Sequence, residues 1–98
     1  MKRIVAKRTL KEFWEKHPDS EQYLKTWYDI ALQAAWNTPN EVKQTFASAS
    51  IIGNDKVVFN IRGNNYRLVV KINYEKQWMF IRFMGNHAEY DKIDSTTI

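Results

Sequence analysis

Between Lys56 and Phe83 apolar and polar residues alternate with a period of two, a pattern that a strand can bury on one face and a helix cannot. Val57, Phe59 and Ile61 alternate with Val58, Asn60 and Arg62. Tyr66, Leu68, Val70 and Ile72 alternate with Arg67, Val69, Lys71 and Asn73. Met79, Ile81 and Phe83 alternate with Trp78, Phe80 and Arg82. Gly63-Asn64-Asn65 offers the positive-φ residues that a hairpin needs, and Tyr74-Glu75-Lys76 turns the chain again. Three antiparallel strands are expected. One face is apolar and the other carries Asn60, Arg62, Arg67 and Lys71. Whether Arg82 shares that face depends on a register that the second turn does not set.

The first half of the chain supplies a layer to cover the apolar face. Met1–Ala6 reads as a short first strand. Thr9-x-x-Glu12 has the form of a capping box ahead of a helix whose Leu10, Phe13 and Trp14 share one stripe, and Pro18 ends it. Asp19 or Ser20 is expected to cap a second helix running roughly from Glu21 to Trp36. Its stripe is wide: Tyr23, Leu24, Trp27, Tyr28, Ile30, Ala31, Ala34 and Ala35. Thr38-Pro39-Asn40-Glu41 opens a third, short helix that ends near Phe46. Ala47–Asp55 then reads as a connector ending in a Gly53-Asn54-Asp55 turn, and residues 93–98 as a disordered tail. The expected fold is α+β: one domain over 1–98, two N-terminal helices on a small, mainly antiparallel sheet, in the order β-α-α-(α)-β-β-β.

Charge narrows the partners. The net charge is +4, unevenly spread: residues 1–17 carry +4, 18–55 carry −3, 56–82 carry +5 and 83–98 carry −2. A basic sheet and a basic N-terminal segment fit a polyanion. There is no cysteine, so thiolate sites and disulfides are excluded. No stretch of about 18 apolar residues offers a membrane span. No apolar run follows the basic start, so a secretory signal is not expected and the cytoplasm is the simplest address. Neither a metal constellation nor a cofactor motif stands out: His17 and His87 are far apart, and the three glycines are not grouped into a phosphate cradle.

A cluster of cations with His87 and Tyr90 beyond the last strand remains. Such groups suit metal-free RNA cleavage, in which a 2′-hydroxyl attacks the neighbouring phosphorus. Guanidinium groups stabilise the added negative charge, histidine transfers a proton near neutrality, and tyrosine stacks on a base or donates a proton. Each residue also has a plainer reading. Arg67 could pair with a carboxylate, Lys71 and Lys76 could be solvated, Asn64 and Asn65 could only form a turn, and Tyr90 could only pack the tail.

The segments Val58-Phe59-Asn60-Ile61, Gly63-Asn64-Asn65-Tyr66-Arg67-Leu68-Val69-Val70, Ile81-Arg82 and Asn86-His87-Ala88-Glu89-Tyr90-Asp91 together resemble the HigB family of ribosome-dependent mRNA interferases, toxins of type II toxin–antitoxin pairs. The resemblance implies a RelE-like fold, an endoribonuclease that cleaves mRNA in the ribosomal A site, and a HigA-like antitoxin with a helix-turn-helix domain. It implies Arg67 as the arginine that holds the scissile phosphate, His87 at the catalytic position after the last strand, and Tyr90 as the stacking or activating tyrosine. Asn60 and Arg62 stand where RelE proper has a pair of lysines, which leaves the proton acceptor open among His87, Lys71 and Tyr90. Asn60, Arg62, Asn64, Lys71 and Arg82 are the expected RNA contacts, with no metal and no cofactor. Two other readings compete: a non-catalytic module that binds RNA or ribosomes, and an adaptor using Trp14, Trp27, Trp36 or Trp78 on another protein.

Overall fold

The alternating segment does form three antiparallel strands, and two further short strands join them. The structure is a computed structural model that describes residues 1–53 and 55–98. In chain order, β1 spans Arg3–Val5, α1 Lys7–Lys16, α2 Glu21–Gln33, α3 Pro39–Thr45, β2 Ser50–Ile52, β3 Lys56–Ile61, β4 Tyr66–Asn73, β5 Trp78–Asn86 and α4 His87–Asp91, with a 3-10 turn at Pro18–Ser20 before α2. The five strands form one sheet in the order β1-β5-β4-β3-β2. All pairings are antiparallel except β1 with β5.

The helices cover one face of the sheet. Leu10, Phe13 and Trp14 of α1 and Leu24, Trp27 and Ala31 of α2 share a core with Val57, Phe59, Ile61, Leu68, Val70, Ile72 and Met79. Phe59 is the hub, with ring centroids of Trp27, Phe46 and Trp36 at 5.3, 5.2 and 6.4 Å. At the other end Phe13 stacks on His17 and meets the edge of Tyr66. The Tyr66 hydroxyl donates to Asp19 at 2.8 Å. Burial, and then that hydrogen bond, push the pKa of Tyr66 above its usual value. The Met1 amino group donates to the carbonyls of Ala31, Leu32 and Ala34 at the end of α2, where the Ala31 carbonyl also accepts from the Ala34 N–H at 3.2 Å.

Several local expectations give way to tertiary contacts. Helix α1 starts two residues before Thr9, on an Ala6 cap with no side-chain bond, so the Thr9–Glu12 box does not form and Glu12 pairs with Arg8 at 2.9 Å. Neither Asp19 nor Ser20 caps α2 with its side chain: Ser20 donates back to the His17 carbonyl, and Asp19 takes Tyr66 and Arg62. Helix α2 ends at Gln33 rather than Trp36, and Tyr23 and Ile30 of its expected apolar stripe are exposed. The Thr38 hydroxyl does cap α3, accepting from the Glu41 N–H. The expected connector contains β2, an edge strand antiparallel to β3. Part of the expected Gly53-Asn54-Asp55 turn, at Asn54, lies outside the described residues.

Two departures matter for the outer face of the sheet. First, β3 stops at Ile61, and the left-handed positions of the hairpin fall at Arg62 (φ 53°) and Gly63 (φ 62°), not at the asparagines. Arg62 therefore leaves the alternation, and its Nη1 sits 3.4 Å from Asp19 on the helix side. Second, the β4–β5 register slips between Val69 and Val70, so Val70 pairs with Ile81 while Val69 pairs with Phe83. The slip leaves Arg82 as the extra residue and reverses the parity of the rest of β5. Phe83, expected in the core, faces outward, and Met84 packs on the core instead.

Candidate active site

Arg67 sits near the start of β4, opposite Asn60 of β3 and Gly85 of β5. Its neighbours Tyr66 and Leu68 are buried among the helices, so alternation directs Arg67 to the opposite face. Strand β5 runs straight into α4. Asn86 caps that helix: its Oδ1 accepts from the Glu89 N–H at 2.8 Å, and Glu89 Oε1 accepts from the Asn86 N–H at 2.9 Å. This reciprocal pair holds His87 at the first position of α4. Asn86→Ala is expected to lower stability by about 1 kcal/mol, the usual worth of an N-cap, read by chemical denaturation.

The result is a close contact. Arg67 Nη2 donates to His87 Nε2 at 2.6 Å, and the guanidinium lies 5.9 Å from the centre of the Tyr90 ring. Arginine has donors only, so Nε2 must present its lone pair and the imidazole proton sits on Nδ1, 3.9 Å from Asp91 Oδ2. Arg67 Nη1 also reaches the Asn64 carbonyl at 3.5 Å. Among the described residues no carboxylate lies within ion-pairing distance of Arg67. Its charge is thus held in place but left unneutralised, which is what an oxyanion or phosphate needs.

Two residues that sequence reasoning did not single out shape this cluster. Gly85 is buried, and a Cβ there would come 2.6 Å from Phe83 Cζ. The Phe83 ring thus takes the place of a side chain at Gly85, with its centroid 6.4 Å from that of Tyr90. In sequence Gly85 lies beyond the alternation that ends at Phe83; only the longer β5 of the structure makes it a strand glycine, a position that marks a close approach.

The structure brings together Arg67, His87, Tyr90 and, through its carbonyl, Asn64. It does not bring in the other expected RNA contacts. Asn60 donates to the Ser48 carbonyl at 3.3 Å, towards the sheet edge. Arg62 faces Asp19. Lys71 lies 3.7 Å from Asp55, and Arg82 stacks over Phe80 at 5.7 Å. Asn60 and Arg62 instead line a groove of about 500 Å³ on the helix side, with Tyr23, Trp27, Ile30 and Phe46. Among the described residues no cluster of His, Asp and Glu is placed to hold a metal ion, and no helix is long and apolar enough to cross a membrane.

Two N-terminal helices on a small antiparallel sheet, with a parallel edge strand in front and a cationic cluster behind, make the architecture of a RelE-like toxin. Residues 20–93 match the family model described as "HigB_toxin, RelE-like toxic component of a toxin-antitoxin system", and the chain belongs to that family. As the toxic component of such a pair it has an antitoxin as partner. It is similar to "mRNA interferase HigB" of Escherichia coli O6:H1, with 29% identity over 92 residues, covering 92% of this chain and 89% of that protein. It is also similar to "mRNA interferase toxin HigB" of Escherichia coli K12 and "mRNA interferase HigB" of Shigella flexneri, each 28% identical over 90 residues, covering 90% of this chain and 86% of the relative.

Proposed function

We propose that this toxin is an endoribonuclease that cuts translated mRNA on the ribosome without a metal ion, in the cytoplasm, and that a HigA-like helix-turn-helix antitoxin restrains it. The names of its relatives support mRNA as the substrate. The contact between Arg67 and His87 at 2.6 Å, with Tyr90 beside it, carries the chemistry.

In this reaction the 2′-oxygen bonds to the adjacent phosphorus and gives up its proton. The bond from phosphorus to the 5′-oxygen breaks, and that oxygen takes a proton. The products are a 2′,3′-cyclic phosphate and a 5′-hydroxyl. Arg67 neutralises the charge that grows on the non-bridging oxygens. His87, whose side chain is half exposed, transfers one of these two protons, and solvent exchanges the other. Tyr90 presents a ring against which the nucleotide can stack. These three roles need no Lewis acid. Basic residues on the sheet and N-terminal segment would dock the protein on ribosomal RNA through phosphates, which makes association salt-dependent.

The test is induction of the toxin without its antitoxin, followed by mapping of mRNA 5′ ends. New ends are expected within the reading frame of a translated message and not in the same message stripped of its start codon. Ends in both messages would refute ribosome dependence. Translation arrest with no new ends would refute the nuclease.

A further inference from the structure

Beyond the slip in β5, the outer face carries a second cluster that the cleavage chemistry does not use. Trp78 and Phe80 project from β5 on that face, opposite Asn73 and Lys71 of β4, and their rings meet edge to face at 6.4 Å. Both are only partly covered. Three cations from three parts of the chain lie over these rings. Arg3 of β1 is 5.6 Å from the Trp78 centroid, Lys76 of the β4–β5 turn is 5.2 Å from it, and Arg82 of β5 is 5.7 Å from that of Phe80. All three are exposed, and among the described residues none has a carboxylate within ion-pairing distance.

We infer that Trp78 and Phe80, with Arg3, Lys76 and Arg82, form a second RNA subsite, a stacking platform for unpaired bases flanked by phosphate-binding cations. The inference rests on the reading of the protein as a toxin that acts on RNA, and it extends that reading to a part of the sheet remote from the chemistry. Two observations favour RNA over a protein partner. Aromatic faces interleaved with unpaired cations are how sequence-tolerant proteins hold single strands. Protein interfaces, by contrast, are depleted of lysine, whereas here Lys76 lies over the Trp78 ring and, among the described residues, no carboxylate within ion-pairing distance offsets its charge. The position is also suitable. At about 3.3 Å per residue, Trp78 and Phe80 lie roughly 15–25 Å along β5 from Gly85, which places them several nucleotides from a phosphate held by Arg67. The subsite would hold a flanking stretch of RNA while His87 acts on another.

Intrinsic fluorescence offers a direct readout, because Trp14, Trp27 and Trp36 are buried and Trp78 is the accessible indole. The full-length protein is titrated with an oligoadenylate of about ten nucleotides, within the usual range of single-strand site sizes. Saturable quenching is expected, lost in Trp78→Phe because the reporter is gone. With an end-labelled oligonucleotide, Trp78→Phe should bind within about threefold of the parent and Trp78→Ala about 5- to 150-fold more weakly, the range for loss of one stacked base. Arg3→Ala with Lys76→Ala should lower the salt slope of binding by about two. An oligomer of abasic sugar–phosphate should bind the parent and Trp78→Ala alike.

Equal affinity of the parent and Trp78→Ala for oligoadenylate would overturn the subsite. So would quenching by the antitoxin and none by the oligonucleotide. Binding is read here without cleavage, so the subsite can fail while Arg67 and His87 prove catalytic. It can equally stand if no cut is found.

Discussion

Arg67→Ala is expected to slow cleavage of ribosome-bound mRNA by about 10²–10³-fold, the usual loss when one preorganised charge stabiliser is removed. The size of the effect comes from how the side chain is held. Arg67 springs from the middle strand of the sheet, between Asn60 and Gly85, so its backbone is fixed on both sides. Its fork is oriented by the Asn64 carbonyl, by His87 Nε2 and by the face of Tyr90. None of these cancels its charge. A phosphate entering the cluster would meet a cation that needs no rearrangement. The same geometry predicts a small effect on folding, because the side chain is partly exposed and, among the described residues, makes no ion pair; exposed polar substitutions fall within about 0.5 kcal/mol. The measurement is therefore a cleavage rate beside a thermal melt, with the rate falling and the melt unmoved. Arg67→Lys keeps the charge but loses the planar fork, and should recover only part of the rate. A rate for Arg67→Ala within about tenfold of the parent would remove Arg67 from the chemistry, since a tenfold change is only about 1.4 kcal/mol.

What could be read in advance divides by range. Thr38 and Pro39 announce α3 correctly because a cap and a first-turn proline act within four residues. Thr9 and Ser20 carry equally good local signals and fail. In one case β1 runs into α1 almost without a break. In the other a 3-10 turn delivers Asp19 to Tyr66, 47 residues away in sequence. Strand period fixed the inner face of β3 and β4, because helices must bury Phe59 and Leu68. It could not place Phe83: the slip opposite Val69 and Val70 is a property of paired strands, not of one. Strand β2 is not legible in the sequence because Ser50-Ile51-Ile52 is too short to show a period. In the proposed site, Arg67 and His87 could be put forward from a likeness of motifs. Their contact could not, since it depends on the register that puts Gly85 beside Arg67 and on the Asn86 cap that starts α4.

His87→Ala is expected to lower the cleavage rate by about 10²–10⁴-fold, the range for loss of a positioned proton-transfer group. Alanine alone would leave the cause ambiguous, because His87 also accepts the hydrogen bond that orients Arg67. Glutamine separates the two roles. Its side-chain carbonyl can still accept from Arg67 Nη2, but it cannot take up or release a proton near neutrality. If His87 is the proton-transfer group, His87→Gln should be as slow as His87→Ala. If His87 serves only to aim the guanidinium, His87→Gln should regain most of the parent rate, and the assignment of catalysis to the imidazole falls. The double variant adds a further constraint. Residues in contact that act on one transition state do not contribute independently. Arg67→Ala with His87→Ala should therefore lose much less than the product of the two single losses. A multiplicative loss would mean that the 2.6 Å contact is incidental and that the two side chains act at separate points along the RNA.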